Sequence, residues 1–106
     1  GDDSLTLPIM SVGGRGVVSV AANVVPKEVR AMVHAALDGN WEQARILHYK
    51  LLNLFKVLFI ETNPIPVKTA LSLMGMIERE WRLPLAPPAD ESRKKIQAVL
   101  SQLGVI

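Results

Sequence analysis

The sequence predicts a predominantly helical fold that contains one short strand. Apolar residues recur at helical spacing in five separate segments of the chain. One β-branched run, Val17–Val20, is apolar on both faces, which is typical of a buried parallel strand. Because one strand cannot form a sheet, a strand flanked by helices indicates a βα unit whose neighbouring strands are supplied from elsewhere.

The first forty residues are predicted to form a helix, the strand and a second helix. A helix over Ser4–Val12 is ended by Gly13 and Gly14, and the strand follows. Pro26 stands where the second helix begins, a position that suits proline because the first helical N–H needs no partner. This helix is predicted to stop at Gly39.

The longest helix is predicted to begin at Asn40, with Gln43 as its capping-box partner. It carries a wide apolar stripe that consists of Trp41, Ala44, Leu47, Leu51, Leu54, Phe55, Leu58 and Phe59. A corner with two prolines, Thr62–Pro66, follows this stripe and fixes the direction of the chain there.

Two further helices are predicted after the corner. The first spans Val67–Met74 and ends at Gly75. Trp81–Ala89 contains three prolines and is predicted to be extended over the surface. The last helix is predicted to be capped by Asp90 and to end before Gly104.

Composition bounds the function classes. The chain has 106 residues, of which 49% are apolar and 21% charged, as in one small globular domain. It has no cysteine, which excludes disulfides and thiolate metal sites. The net charge of +2 is spread along the chain, so no nucleic-acid role is predicted. No apolar run is long enough for a membrane span. The chain starts at Gly1 without a methionine or a signal-like segment, so we expect a piece of a longer protein.

The residues taken alone predict no catalytic constellation, no metal site and no cofactor. The glycines at 13–16 precede the strand, so they indicate a helix end and a turn in place of a phosphate loop. His34 and His48 lie in different helices and are predicted to be surface or boundary residues. None of the six lysines lies on a strand, and Lys68 is the least implausible Schiff-base candidate.

Five blocks of sequence nevertheless form a characteristic series: GDD at 1–3, GGRGVVSVAANV at 13–24, HYKLL at 48–52, FIETNPIPVK at 59–68 and RLPL at 82–85. In order and spacing they resemble the C-terminal part of the dihydrodipicolinate synthases, the pyruvate-dependent class I aldolases and lyases of lysine (diaminopimelate) biosynthesis. The resemblance covers essentially the whole chain, and its most specific part is the NPIPVK block.

The resemblance implies a (β/α)8 barrel that is followed by a three-helix C-terminal domain. Residues 1–39 would be the end of the barrel, from the end of strand 7 through helix 7, strand 8 and helix 8. Residues 40–106 would be the helical domain. The family further implies a cytoplasmic homotetramer that needs no cofactor and binds neither nucleic acid nor membrane.

The resemblance also implies an activity. The family condenses pyruvate, held as a lysine Schiff base, with aspartate-semialdehyde. The lysine and a proton-relay tyrosine would precede Gly1, so the 106 residues alone are predicted to be inactive. Gly1 and Val18 would line the pyruvate pocket, with Val18 where isoleucine is common. Asp2, Asp3 and Asn63 would lie near the semialdehyde.

Two alternatives remain open from the residues themselves. The chain could be a small helical interaction module without catalysis, in which the apolar stripes bind a partner. Asp2 and Asp3 could serve only as helix caps, since adjacent side chains usually point apart. Pro64 and Pro66, which follow Asn63, could only end one helix and start the next, or they could also hold the Asn63 amide in place, because two fixed φ angles lower the entropy of the loop.

Overall fold

The computed structural model describes all 106 residues, and every regular element in it is helical. Two short 3-10 helices, Asp3–Leu5 and Ala21–Asn23, precede the first and second α-helices. The five α-helices are α1 (Thr6–Ser11), α2 (Pro26–Leu37), α3 (Trp41–Val57), α4 (Ile65–Leu73) and α5 (Asp90–Gln102). The five predicted helices are therefore confirmed, with shifted ends.

The predicted strand at Val17–Val20 is wrong for this chain. These residues belong to an irregular segment, and Val18 is 87% exposed. The physical reason is the absence of a second strand, because a β-ladder needs partner N–H and C=O groups. The β-branched pattern indicates what a segment can do when it is paired, and the helical remainder of this chain offers it no pairing.

The chain divides into two compact units, Gly1–Phe55 and Lys56–Ile106. In the first unit, α1 packs against α2, and α2 packs against the 3-10 helix that precedes it. The apolar side chains buried in this part of the unit are Leu7, Met10, Ala21, Val24, Val25, Val29, Met32 and Ala36. Positions 29, 32 and 36 follow helical spacing, which explains why α2 forms with that face inward.

Most of the predicted stripe on α3 is buried. Ala44, Leu51 and Leu54 have no exposed surface, and Phe55 is almost completely covered. The amide N–H of Gln43 donates to the Asn40 side-chain oxygen at 3.2 Å, so the predicted N-cap is present.

In the second unit, α4 packs against α5. Val67 and Ala70 are buried on α4, and Ile96 and Leu100 are buried on α5. Helix α4 begins two residues earlier than predicted, because Pro66 fits inside the first turn, where the missing N–H leaves no acceptor unpaired.

The ends of the helices show the expected glycine chemistry and one correction. Gly39, Gly75 and Gly104 have positive φ values of 78°, 76° and 74° just beyond the ends of α2, α4 and α5. Asp90, predicted to cap α5, is instead its first residue, and the N-cap is Ala89, which has no capping side chain. Asp90 thus contributes only negative charge to the first turn.

None of the helices combines the length and the apolar character that a membrane crossing would require. The division into residues 1–39 and 40–106 that the resemblance implies stays a prediction, since it refers to the fold of a longer protein.

Candidate functional site

The residues near the start of the chain are organised around the carboxylate of Asp3, which has no exposed surface. One of its oxygens, Oδ2, accepts hydrogen bonds from the backbone N–H groups of Val20 and Ala21, both at 3.0 Å. The other oxygen, Oδ1, accepts the hydroxyl of Ser19. Ser19 Oγ accepts the N–H of Ala22 at 2.9 Å. The buried negative charge is therefore compensated by three donors.

Gly1 lies directly against Val18. A Cβ atom added at Gly1 would overlap the carbonyl oxygen of Val18 and would stand 3.3 Å from its Cβ. Only glycine therefore fits at this position without a shift of the backbone. The structure thus brings together the two residues that the sequence analysis assigned to pyruvate, and the side chain of Val18 faces open space.

Asp2 has a different environment from its neighbour. Its Oδ1 accepts the N–H of Ser4 at 3.1 Å and the Ser4 hydroxyl at 2.9 Å, so Asp2 caps the 3-10 helix Asp3–Leu5. Asp2 is exposed, and both of these bonds use the same oxygen. Its Oδ2 is therefore open to a further donor, whereas Asp3 has no accessible surface with which to contact a substrate.

Asn63 belongs to the second compact unit and lies at the tip of the proline corner, where it is exposed. The corner is closed by a hydrogen bond from Ile65 N–H to the Thr62 carbonyl at 2.9 Å, and the Asn63–Pro64 peptide bond is cis. Glu61 Oε2 accepts the N–H of Ala89 at 3.0 Å. This bond links the corner to the start of α5.

The lysines and histidines do not form a catalytic pair with these residues. Five of the six lysines are exposed, and Lys68 is half-buried beside Ile77, Glu78, Glu80 and Arg82. His34 is exposed, and His48 is half-buried, with its ring edge-on to that of Tyr49 at 5.1 Å. Partial burial lowers the pKa of His48 below its ordinary value of 6.5. No group of three His, Asp or Glu side chains is arranged to hold a metal ion.

The sequence of the chain was compared with models of known protein families. The sequence profile of the dihydrodipicolinate synthetase family matches residues 1–103. The chain belongs to this family.

Its relatives are similar in both sequence and structure. The 4-hydroxy-tetrahydrodipicolinate synthase of Hydrogenobaculum sp. is 57% identical over all 106 residues, which cover 37% of that protein. The crystal structure of dihydrodipicolinate synthase from Aquifex aeolicus is 55% identical, with a TM-score of 0.97 over 99% of this chain and 36% of that one. An Acinetobacter baumannii dihydrodipicolinate synthase solved in complex with pyruvate is 40% identical, with a TM-score of 0.96 over 100% of this chain and 36% of that one. The chain thus spans just over a third of the length of these family members.

Sequence analysis missed the hydrogen-bonding roles of two side chains, Ser19 and Glu61. Ser19 was included only as part of the strand pattern, although its hydroxyl binds the Asp3 carboxylate. Glu61 was included only in the motif, although it binds a backbone N–H 28 residues away. The sequence offered two signals for these roles. Ser19 interrupts a β-branched run, and Glu61 is an isolated acidic residue before the proline corner.

Proposed function

We propose that the protein to which these 106 residues belong is a lyase that condenses pyruvate with aspartate-semialdehyde in lysine biosynthesis. The observation that carries the proposal is the 57% identity, over the whole chain, to a relative named 4-hydroxy-tetrahydrodipicolinate synthase. The complex of another relative with pyruvate supports the choice of the first substrate.

The reaction we propose begins with a Schiff base between pyruvate and a lysine outside these 106 residues. The amine attacks the ketone carbon and water leaves, which gives an imine. Loss of a proton from the pyruvate methyl group converts the imine to an enamine, whose carbon attacks the aldehyde carbon of the second substrate while the aldehyde oxygen takes up a proton. The exposure of five of the six lysines supports an external lysine, because a Schiff-base amine is activated in an apolar or cationic setting. A tyrosine that relays protons would also lie outside the chain.

The contribution of this chain would be the wall of the pyruvate pocket. Gly1 allows the Val18 backbone to approach closely because it has no side chain, and Val18 presents an apolar surface that is 87% exposed within the chain. An apolar wall suits the methyl group of pyruvate and keeps water from the imine.

The second substrate carries an ammonium, a carboxylate and an aldehyde, so it needs polar partners. We propose that Asp2 and Asn63 provide two of them. Asp2 is exposed with Oδ2 open, and Asn63 is an exposed amide that can both donate and accept. The carboxylate of Asp2 would complement the ammonium.

We also propose that residues 1–39 complete a (β/α)8 barrel and that residues 40–106 form the helical domain after it. Val17–Val20 would become the eighth strand when the neighbouring strands supply its hydrogen-bond partners. The exposure of Val12 (85%) and Val18 (87%) supports further cover by protein outside this chain. The whole protein would be a cytoplasmic homo-oligomer, with a tetramer as the proposed state.

Steady-state kinetics of the whole protein test this function. We expect saturable product formation that requires both pyruvate and aspartate-semialdehyde, with the metal chelator EDTA having no effect. The isolated 106 residues should form no product. Binding of a partner protein without turnover of the two substrates would instead support the interaction module.

A further inference from the structure

The buried carboxylate of Asp3 joins two segments that are far apart in sequence. Its two oxygens accept hydrogen bonds from the Ser19 hydroxyl and from the N–H groups of Val20 and Ala21, which are 16 to 18 residues away. The 3-10 helix Ala21–Asn23 has Val20 as its N-cap residue, which offers no capping side chain. Asp3 and Ser19 together therefore provide the cap that the local sequence lacks.

Both ends of this connection adjoin the residues assigned to pyruvate. Asp3 follows Gly1 by two residues, and Ser19 follows Val18 directly. Loss of the bond between Asp3 and Ser19 would therefore allow Gly1 to shift away from Val18 or along its backbone. Gly1 already contacts the Val18 carbonyl oxygen, so the two residues cannot come closer without a shift of the backbone.

We propose that Asp3 and Ser19 form a latch that keeps Gly1 packed against the Val18 backbone, and with it the shape of the pyruvate-pocket wall that both residues would form. In this inference Asp3 is a positioning residue, because it has no accessible surface with which to touch a substrate. The inference rests on the proposed function, since it takes pyruvate as the ligand that contacts the wall formed by Gly1 and Val18.

The test uses the whole protein with Ser19→Ala, Asp3→Asn and the double variant. Ser19→Ala removes the donor to the Asp3 carboxylate and the acceptor of the Ala22 N–H, and we expect KM for pyruvate to rise about tenfold with a smaller change in kcat. KM for aspartate-semialdehyde should change less than twofold. Asp3→Asn should be milder, because its carbonyl oxygen can still accept both N–H groups while its amide donates to Ser19 Oγ. The double variant loses that compensating bond, so it should exceed the product of the two single effects.

Thr6→Val is the matched control. Thr6 is buried in the same unit, and its hydroxyl donates to the Asp3 backbone carbonyl at 2.8 Å, so the variant loses a buried hydrogen bond to Asp3 that does not involve the Asp3 carboxylate. It should lower the thermal midpoint and leave KM for pyruvate within twofold. If Thr6→Val and Ser19→Ala change KM for pyruvate equally, the latch is only structural and the inference is wrong.

Borohydride reduction in the presence of pyruvate shows whether the latch alone is wrong or whether the proposed function is wrong as well. The wild-type protein should be trapped, and Ser19→Ala should need about tenfold more pyruvate for half-maximal trapping. A wild-type protein that is never trapped overturns the proposed function and the latch together. Normal trapping of the wild type, with the same half-maximal pyruvate concentration for Ser19→Ala, overturns the latch alone.

Discussion

Replacement of Glu61 by alanine should loosen the start of α5. The Glu61 carboxylate accepts the N–H of Ala89 at 3.0 Å, and Ala89 is an N-cap residue without a capping side chain. In a capping box, an acidic side chain in the first turn of the helix accepts the N–H of the N-cap residue. Glu61 accepts that N–H here, although it lies 28 residues upstream.

The expected size of this effect follows from the environment of the bond. Loss of an N-terminal cap lowers stability by roughly 0.5–2 kcal/mol, and the exposed position of this bond favours about 1 kcal/mol. For a protein of the length of its relatives, that corresponds to a fall in the thermal midpoint of about 2 °C. Glu61→Gln should stay within a few tenths of a kcal/mol, because it keeps the acceptor and α5 already carries Asp90 and Glu91 in its first turn.

Hydrogen exchange of the whole protein measures this directly. The amides of Ala89 and the first turn of α5 should exchange about fivefold faster in Glu61→Ala than in the wild type. Glu91→Ala is the control, because it removes a carboxylate from the same turn that only pairs with exposed Lys95 at 3.3 Å. Equal acceleration by the two variants would show that the effect comes from the loss of negative charge and would refute a specific role for the bond from Glu61 to Ala89.

Three further predictions concern the whole protein. Asn63→Ala should lower kcat/KM for aspartate-semialdehyde about ten- to hundredfold and alter KM for pyruvate little, since one hydrogen bond to a charged substrate is lost; equal losses for both substrates would make the corner purely structural. Val18→Asp should abolish pyruvate saturation and lower the thermal midpoint, because it places an unpaired carboxylate in an apolar wall; a folded variant with normal KM would disprove the placement of Val18. Thermal stability should fall as the pH drops below about 6.5, because the unfolded state then binds a proton that folded His48, with its lowered pKa, resists; in His48→Gln this slope should be smaller, and an unchanged slope would assign it to other groups.

The helices could be predicted because their signals are local. Apolar spacing on α2 and α3 and the glycines at 39, 75 and 104 act within a few residues, and all of them appear as expected. The Asn40 cap was predicted for the same reason. The start of α4 was predicted two residues too late, because Pro66 is tolerated inside the first turn of this helix.

The connections that hold the candidate site could not be predicted in this way. The bond from Ser19 to Asp3 spans 16 residues and that from Ala89 to Glu61 spans 28, and no periodic pattern encodes such partners. The strand at Val17–Val20 failed for a related reason, because strand formation depends on partners outside the segment. The resemblance supplied the candidate residues Gly1, Val18 and Asn63, and physical chemistry alone did not.

Mapping the lysine that forms the Schiff base is the most direct test of the account. The whole protein would be reduced with borohydride in the presence of pyruvate, digested, and examined by mass spectrometry. The account predicts one modified lysine, outside the 106 residues described here, and no modification of the isolated chain under the same conditions. Stoichiometric modification of Lys68, or of any other lysine of this chain, would contradict it.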